Sequence, residues 1–155
     1  MYIFDGAMGT MLQAAGLEEG YCPELFNIER PEVVKDIHAQ YLQHGSDVIT
    51  TNTFGACGLK LEDYDLQDRV REINIAAVKV AKEAIAETKP TARVAGSMGP
   101  TGRFLQPLGN MSFDSIYDTY REQAEALIEG GVDFIIIETI IDVQEMRAAL
   151  LASLD

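Results

Sequence analysis

Residues 120–139 read YREQAEALIEGGVDFIIIET, and this stretch decides the fold class. Its first half is helical. Ser112 upstream is a candidate N-cap, Ile116, Tyr120, Leu127 and Ile128 point inward at helical spacing, and Gly130-Gly131 supplies a stop where a left-handed cap strains no side chain. Its second half, Phe134–Ile137, is apolar at every position, as expected of a strand buried on both faces of a parallel sheet covered by helices.

Working outward, strand-like segments recur at residues 2–4, 47–51, 93–95 and 133–137, a spacing of roughly 40 to 45 residues that matches a repeated βα unit. Helical patterns fill the intervals. The first opens at Pro31, carries Val34, Ile37, Tyr41 and Leu42 on one face and stops before Gly45. The second, about 67–87, is Ala-rich with Val70, Ile73, Ala77, Val80, Ala84 and Ile85 at i+3 and i+4 steps. The last opens on Asp142-x-x-Glu145, a carboxylate variant of the capping box, and is expected to run through Met146, Leu150 and Leu151 to Asp155. The chain therefore reads as α/β with about four βα units. Right-handed crossovers leave two architectures open, a doubly wound flavodoxin-type sheet or the first half of an eight-stranded barrel.

Composition narrows the function classes. The 155 residues carry 25 acidic and 12 basic side chains, a formal charge of −13, which argues against nucleic acid as a partner. A hydrophobic fraction of 47% suffices for a core and excludes intrinsic disorder. No apolar run approaches the roughly 20 residues of a membrane span, and MYIFDG is not a signal-peptide start. Cys22 and Cys57 lie far apart without a CxxC, so two free thiols in a reducing cytoplasm are the expectation, and neither is assigned to a metal.

In either architecture ligands bind at the carboxyl ends of the strands. Asp5 and Glu138 each follow an apolar strand directly, where an unpartnered carboxylate is costly to desolvate. Together they suit a ligand ammonium, a general acid and base pair, or metal ligation, and residue type alone leaves these open. Structural alternatives are an Arg pair or rim cap for Glu138 and a turn or N-cap carboxylate before Gly6 for Asp5. The glycine-rich segments at 5–10 and 96–103 match neither a Walker A loop nor a dinucleotide fingerprint. His38 and His44 are read as solvated or helix-capping residues without a catalytic role.

Five segments in order, DGAMGTMLQ (5–13), LFNIERPEVV (25–34), IHAQYLQHGSDVITTNTFGA (37–56), GSMGPTGR (96–103) and residues 120–139, together resemble the homocysteine S-methyltransferase family, most closely its cobalamin-dependent methionine synthase branch. The resemblance covers essentially the whole chain. It implies a (β/α)8 TIM-type barrel, of which residues 1–155 would be a single partial domain, the N-terminal half, since such barrels take about 250 residues. It implies part of a methyltransferase that moves a methyl group to the zinc-activated thiol of homocysteine to give methionine. The alternative is a noncatalytic half-barrel that self-associates or complements a separate second half.

By the same resemblance Asp5 and Glu138 hold the ammonium of homocysteine, backbone amides from Gly6 and the neighbouring strand ends take its carboxylate, and Asn52 and Ser97 are neighbours. The family's zinc is held by cysteines in later Asn-Cys and Gly-Gly-Cys-Cys segments, neither of which occurs here, so the isolated chain is expected to be inactive. Methylcobalamin and methyltetrahydrofolate would sit on other modules, and no cofactor is expected on this chain. The expected partners are homocysteine, the remaining barrel half and a cobalamin module, with self-association through exposed barrel edges.

Overall fold

A computed structural model describes residues 1–154. In chain order the elements are α1 (Gly9–Ala14), α2 (Phe26–Glu29), α3 (Pro31–Gln43), β1 (Val48–Thr50), α4 (Gly58–Leu61), α5 (Val70–Thr88), β2 (Arg93–Met98), α6 (Phe113–Gly130), β3 (Phe134–Ile137) and α7 (Val143–Ala152). Pro31 is the first residue of α3, where its missing N–H leaves no bond unmade. Ser112 caps α6 by accepting from the Ser115 amide at 3.1 Å. At the other end Gly131, at φ 86°, takes the left-handed cap that a side chain would strain. Asp142 caps α7 by accepting from the Gln144 amide at 2.7 Å. The expected continuation of this helix stops at Ala152, and Asp155 lies outside the described residues.

The three strands are parallel and adjacent in chain order, β1-β2-β3. Ile49 pairs with Val94 and Ala95 with Phe134. The first expected strand, residues 2–4, is reduced to a single parallel bridge between Phe4 and Val48, reinforced by the Asp5 amide donating to the Val48 carbonyl at 3.0 Å. The segment order is thus sequential, without the reversal that a doubly wound sheet requires. Helices α3, α5, α6 and α7 pack side by side over one face. Ile49 and Val94 meet Leu42, Ala81 and Ala84 there, and Met98 meets Val78, Tyr120 and Leu127.

The opposite face is concave. Phe4 and Phe134 lie three strand positions apart, about 14 Å in a flat sheet, yet their rings pack edge to face with centroids 6.0 Å apart. Strand period then decides which side chains share that concavity: Ile49, Met98 and Ile137 face the helices, so Thr50, Ser97 and Glu138 fall on the inner side.

Four expectations are corrected. Phe134–Ile137 is only half-buried, because β3 is paired on one side alone and α6 and α7 cover one of its faces. Ile128, expected inward, is 57% exposed, since the Leu127 side of α6 makes the contact with the core. His38, expected in solvent, is fully buried, and neither ring nitrogen has a hydrogen-bond partner. Glu145 does not close a capping box. It is 3% exposed and turned away from the helix start, where it accepts from the Thr101 amide at 2.8 Å, the Thr101 hydroxyl at 2.7 Å and the Tyr120 hydroxyl at 3.0 Å. This network fastens α7 to the loop after β2.

Candidate functional site

A cleft of about 340 Å³ opens at the carboxyl ends of the strands. Gly6, Asn52, Ser97 and Glu138, four of the residues singled out from sequence, line it, and Asp5 lies against its wall through Thr50. No lysine or arginine is among the described residues that line it.

Asp5 is held by one residue of the neighbouring strand. The Thr50 amide donates to Oδ2 at 2.8 Å and the Thr50 hydroxyl to Oδ1 at 3.0 Å. This replaces the turn or N-cap role considered for Asp5. Burial pushes the carboxyl up to about 6, against the pull of the two Thr50 bonds, and the negative charge of Glu138 adds to the rise. Glu138 extends the ladder past β3, its amide donating to the Met98 carbonyl at 3.0 Å. Its side chain accepts from the Ser97 hydroxyl at 2.6 Å. The next residue, Thr139, has φ 62°, an uncommon conformation for a β-branched residue, and turns the chain away from the cleft. Each carboxylate is therefore oriented by a hydroxyl from the adjacent inner strand.

Gly6 has no room for a side chain: a Cβ there would lie 3.0 Å from the Tyr41 hydroxyl oxygen, which donates to the Ala7 carbonyl at 2.8 Å. The Gly6-Ala7 backbone thus rests on α3 and faces the cleft. Asn52 is mostly committed to structure, its Nδ2 donating to the Pro23 carbonyl at 2.9 Å and its own carbonyl accepting from Asn27 at 2.8 Å.

Sequence reasoning missed Glu24. It is 5% exposed, lines the cleft, and accepts from the Gly55 amide at 2.7 Å and the Cys22 thiol at 3.3 Å. Its signal was faint, a carboxylate between the apolar Cys22 and Leu25, away from any strand end. Burial, aided by Glu24, pushes the Cys22 thiol up to about 12, and burial alone does most of the same for Cys57, also to about 12. Both stay protonated at neutral pH and neither is a ready metal ligand or nucleophile. Among the described residues no three His, Cys, Asp or Glu side chains are grouped to hold a metal ion. An acidic cleft of this kind repels phosphate and attracts a small cation. No described helix is long and apolar enough to cross a membrane.

The chain is 41% identical over 159 residues to methionine synthase of Mycobacterium tuberculosis and 39% identical to that of Mycobacterium leprae. In both cases 96% of this chain is aligned, and it spans 13% of the relative's length. Among solved structures, the oxidized form of the homocysteine methyltransferase MmuM from Escherichia coli superposes with a TM-score of 0.80 at 26% identity, over 98% of this chain and 58% of that one. The metallated form of MmuM gives 0.80 over 97% and 59%. The model of the family described as homocysteine S-methyltransferase matches residues 2–155, and the chain belongs to that family.

Proposed function

We propose that residues 1–155 are the leading part of a (β/α)8 barrel and supply the amino acid subsite of a homocysteine S-methyltransferase of the methionine synthase type. Support for the barrel comes from the sequential parallel order, the concave inner face and the superposition on 58% of MmuM. The observation that carries the substrate is the pair of hydroxyl-held carboxylates, Asp5 and Glu138, beside one cleft with no cation to neutralise them. An α-ammonium entering there offers N–H donors to both carboxylates and offsets one of their two charges. Gly6 and Ala7 line the same cleft, and in this reading their backbone amides take the substrate carboxylate.

This chain's share of the reaction is to bind and orient. Zinc does not fit the described residues, which offer no grouped ligands and two protonated thiols, so activation of the homocysteine thiol belongs to residues outside this chain. The size of the cleft suits an amino acid rather than a corrinoid or folate, which supports a methyl donor carried on other modules.

Titration with L-homocysteine, followed by amide NMR, tests the reading. Without metal coordination of the thiol the expected dissociation constant is millimolar, about −4 kcal/mol. The same thiol acid lacking the amine, 4-mercaptobutyrate, should not bind. Equal binding of both compounds refutes ammonium recognition.

A second consequence concerns the outer edge. Among the described residues β3 pairs only with β2, and Ile128, Leu150 and Leu154 are exposed beside it. Apolar surface next to an open strand edge promotes association, so the chain forms dimers or larger assemblies at micromolar concentration.

A further inference from the structure

Among the described residues only Thr50 donates a side-chain hydrogen bond to Asp5, and it does so while its backbone amide donates to the other carboxylate oxygen. The two residues are 45 positions apart and meet because Phe4 pairs with Val48, which sets Asp5 alongside Ile49, one residue short of Thr50 on the neighbouring strand. Thr50 also lines the cleft. One small side chain thus contacts both the carboxylate and the space that a ligand enters.

We propose that Thr50 is the positioning residue that fixes Asp5 beside the cleft and keeps it an acceptor for a ligand ammonium. This deepens the reading of Asp5 as part of the homocysteine subsite and rests on it. The physical argument is a balance of opposed effects at one carboxyl. Burial and the facing charge of Glu138 favour the protonated acid, which is a poor partner for an ammonium. The two Thr50 bonds favour the ionised form. Other groups around the cleft do not help: Glu24 on its far wall is a further carboxylate, and the Tyr41 phenol on α3 is engaged with the Ala7 carbonyl. With no cation lining the cleft, the hydroxyl of Thr50 is the one side-chain donor acting on the side of the anion. The backbone bond persists in any variant, so substitution isolates the hydroxyl.

The test is the pH titration of the Asp5 side-chain carboxyl carbon by NMR, without ligand, in the native chain and in Thr50→Val, Thr50→Ala and Thr50→Ser. Removing a hydrogen bond to a charged acceptor should raise the midpoint by about one pH unit in the Val and Ala variants, and Ser should restore it. Two hydroxyl-free variants of different size keep the result readable if one packs poorly. L-homocysteine affinity should then fall about threefold at roughly pH 6.5 and hardly at all at roughly pH 8.5, where Asp5 is ionised regardless. A midpoint that stays put in both variants overturns the proposal, as does an equal loss of affinity at the two pH values. If the native chain binds no homocysteine while the midpoint still follows the Thr50 hydroxyl, the substrate assignment fails and the Thr50–Asp5 coupling stands.

Discussion

Replacing Asp5 with Asn removes a carboxylate that the fold holds out of water without a cation, and the consequence for stability can be worked from the structure. The carboxyl rises from its ordinary 3.8 to about 6, chiefly through burial. The folded state therefore binds this proton more tightly than the unfolded chain does. Stability from the neutral acid is fully present below pH 3.8 and is lost as pH rises through about 6. Linkage gives a loss of about 2 kcal/mol between roughly pH 4.5 and roughly pH 7.5. An amide at this position does not titrate and escapes that loss. Its Oδ1 accepts from the Thr50 amide and its NH2 donates to the Thr50 hydroxyl oxygen, so the hydroxyl must turn from donor to acceptor, at about 1 kcal/mol independent of pH. Asp5→Asn should then be nearly level with the native chain at the acid end and more stable by about 1 to 2 kcal/mol at the neutral end. Urea denaturation of both proteins at the two pH values measures this. Titrating groups that do not interact with Asp5, His38 included, are common to both and cancel in the difference. A stability difference that does not move with pH would refute the argument that Asp5 is held ionised at a cost which a ligand ammonium relieves.

Other expectations follow from the same structure. Glu138→Gln should abolish L-homocysteine binding in the amide NMR titration while leaving the dispersion of the spectrum intact, and undiminished affinity would sink its assigned role. His38, pushed down by burial from 6.5 to about 4, contributes stability that is complete above pH 6.5 and lost as pH falls through about 4. The loss amounts to about 3 kcal/mol, and His38→Leu should flatten the acid limb of a stability–pH curve by that amount. Tyr120→Phe removes a donor from the buried Glu145 and should cost about 1.5 to 3 kcal/mol in denaturation without altering homocysteine binding. Light scattering at micromolar concentration should give a mass above that of one chain, and a clean monomer would show that the β3 edge is protected.

Much of the architecture was legible because it is periodic. The caps at Ser112, Gly131 and Asp142 fell where local rules put them, and the strands at β1, β2 and β3 appeared within a few residues of their expected places. Local rules failed where a side chain had two possible partners. Glu145 reads as a capping residue from its spacing to Asp142, yet it is drawn inward by the Thr101 amide and hydroxyl, donors 44 residues away. His38 stands between Ile37 and Ala39 on an amphipathic helix, and only the packing of that helix shows that it is sealed.

The sequence by itself determined the repeated βα unit, the family, and the two strand-ending carboxylates, because these depend on patterns within a few residues or on whole motifs. Which hydroxyl meets which carboxylate was decided only by the tertiary structure. Thr50 finds Asp5 across 45 residues and Ser97 finds Glu138 across 41. Those pairings are fixed by strand register and by the curvature of the sheet, and no local periodicity encodes either one.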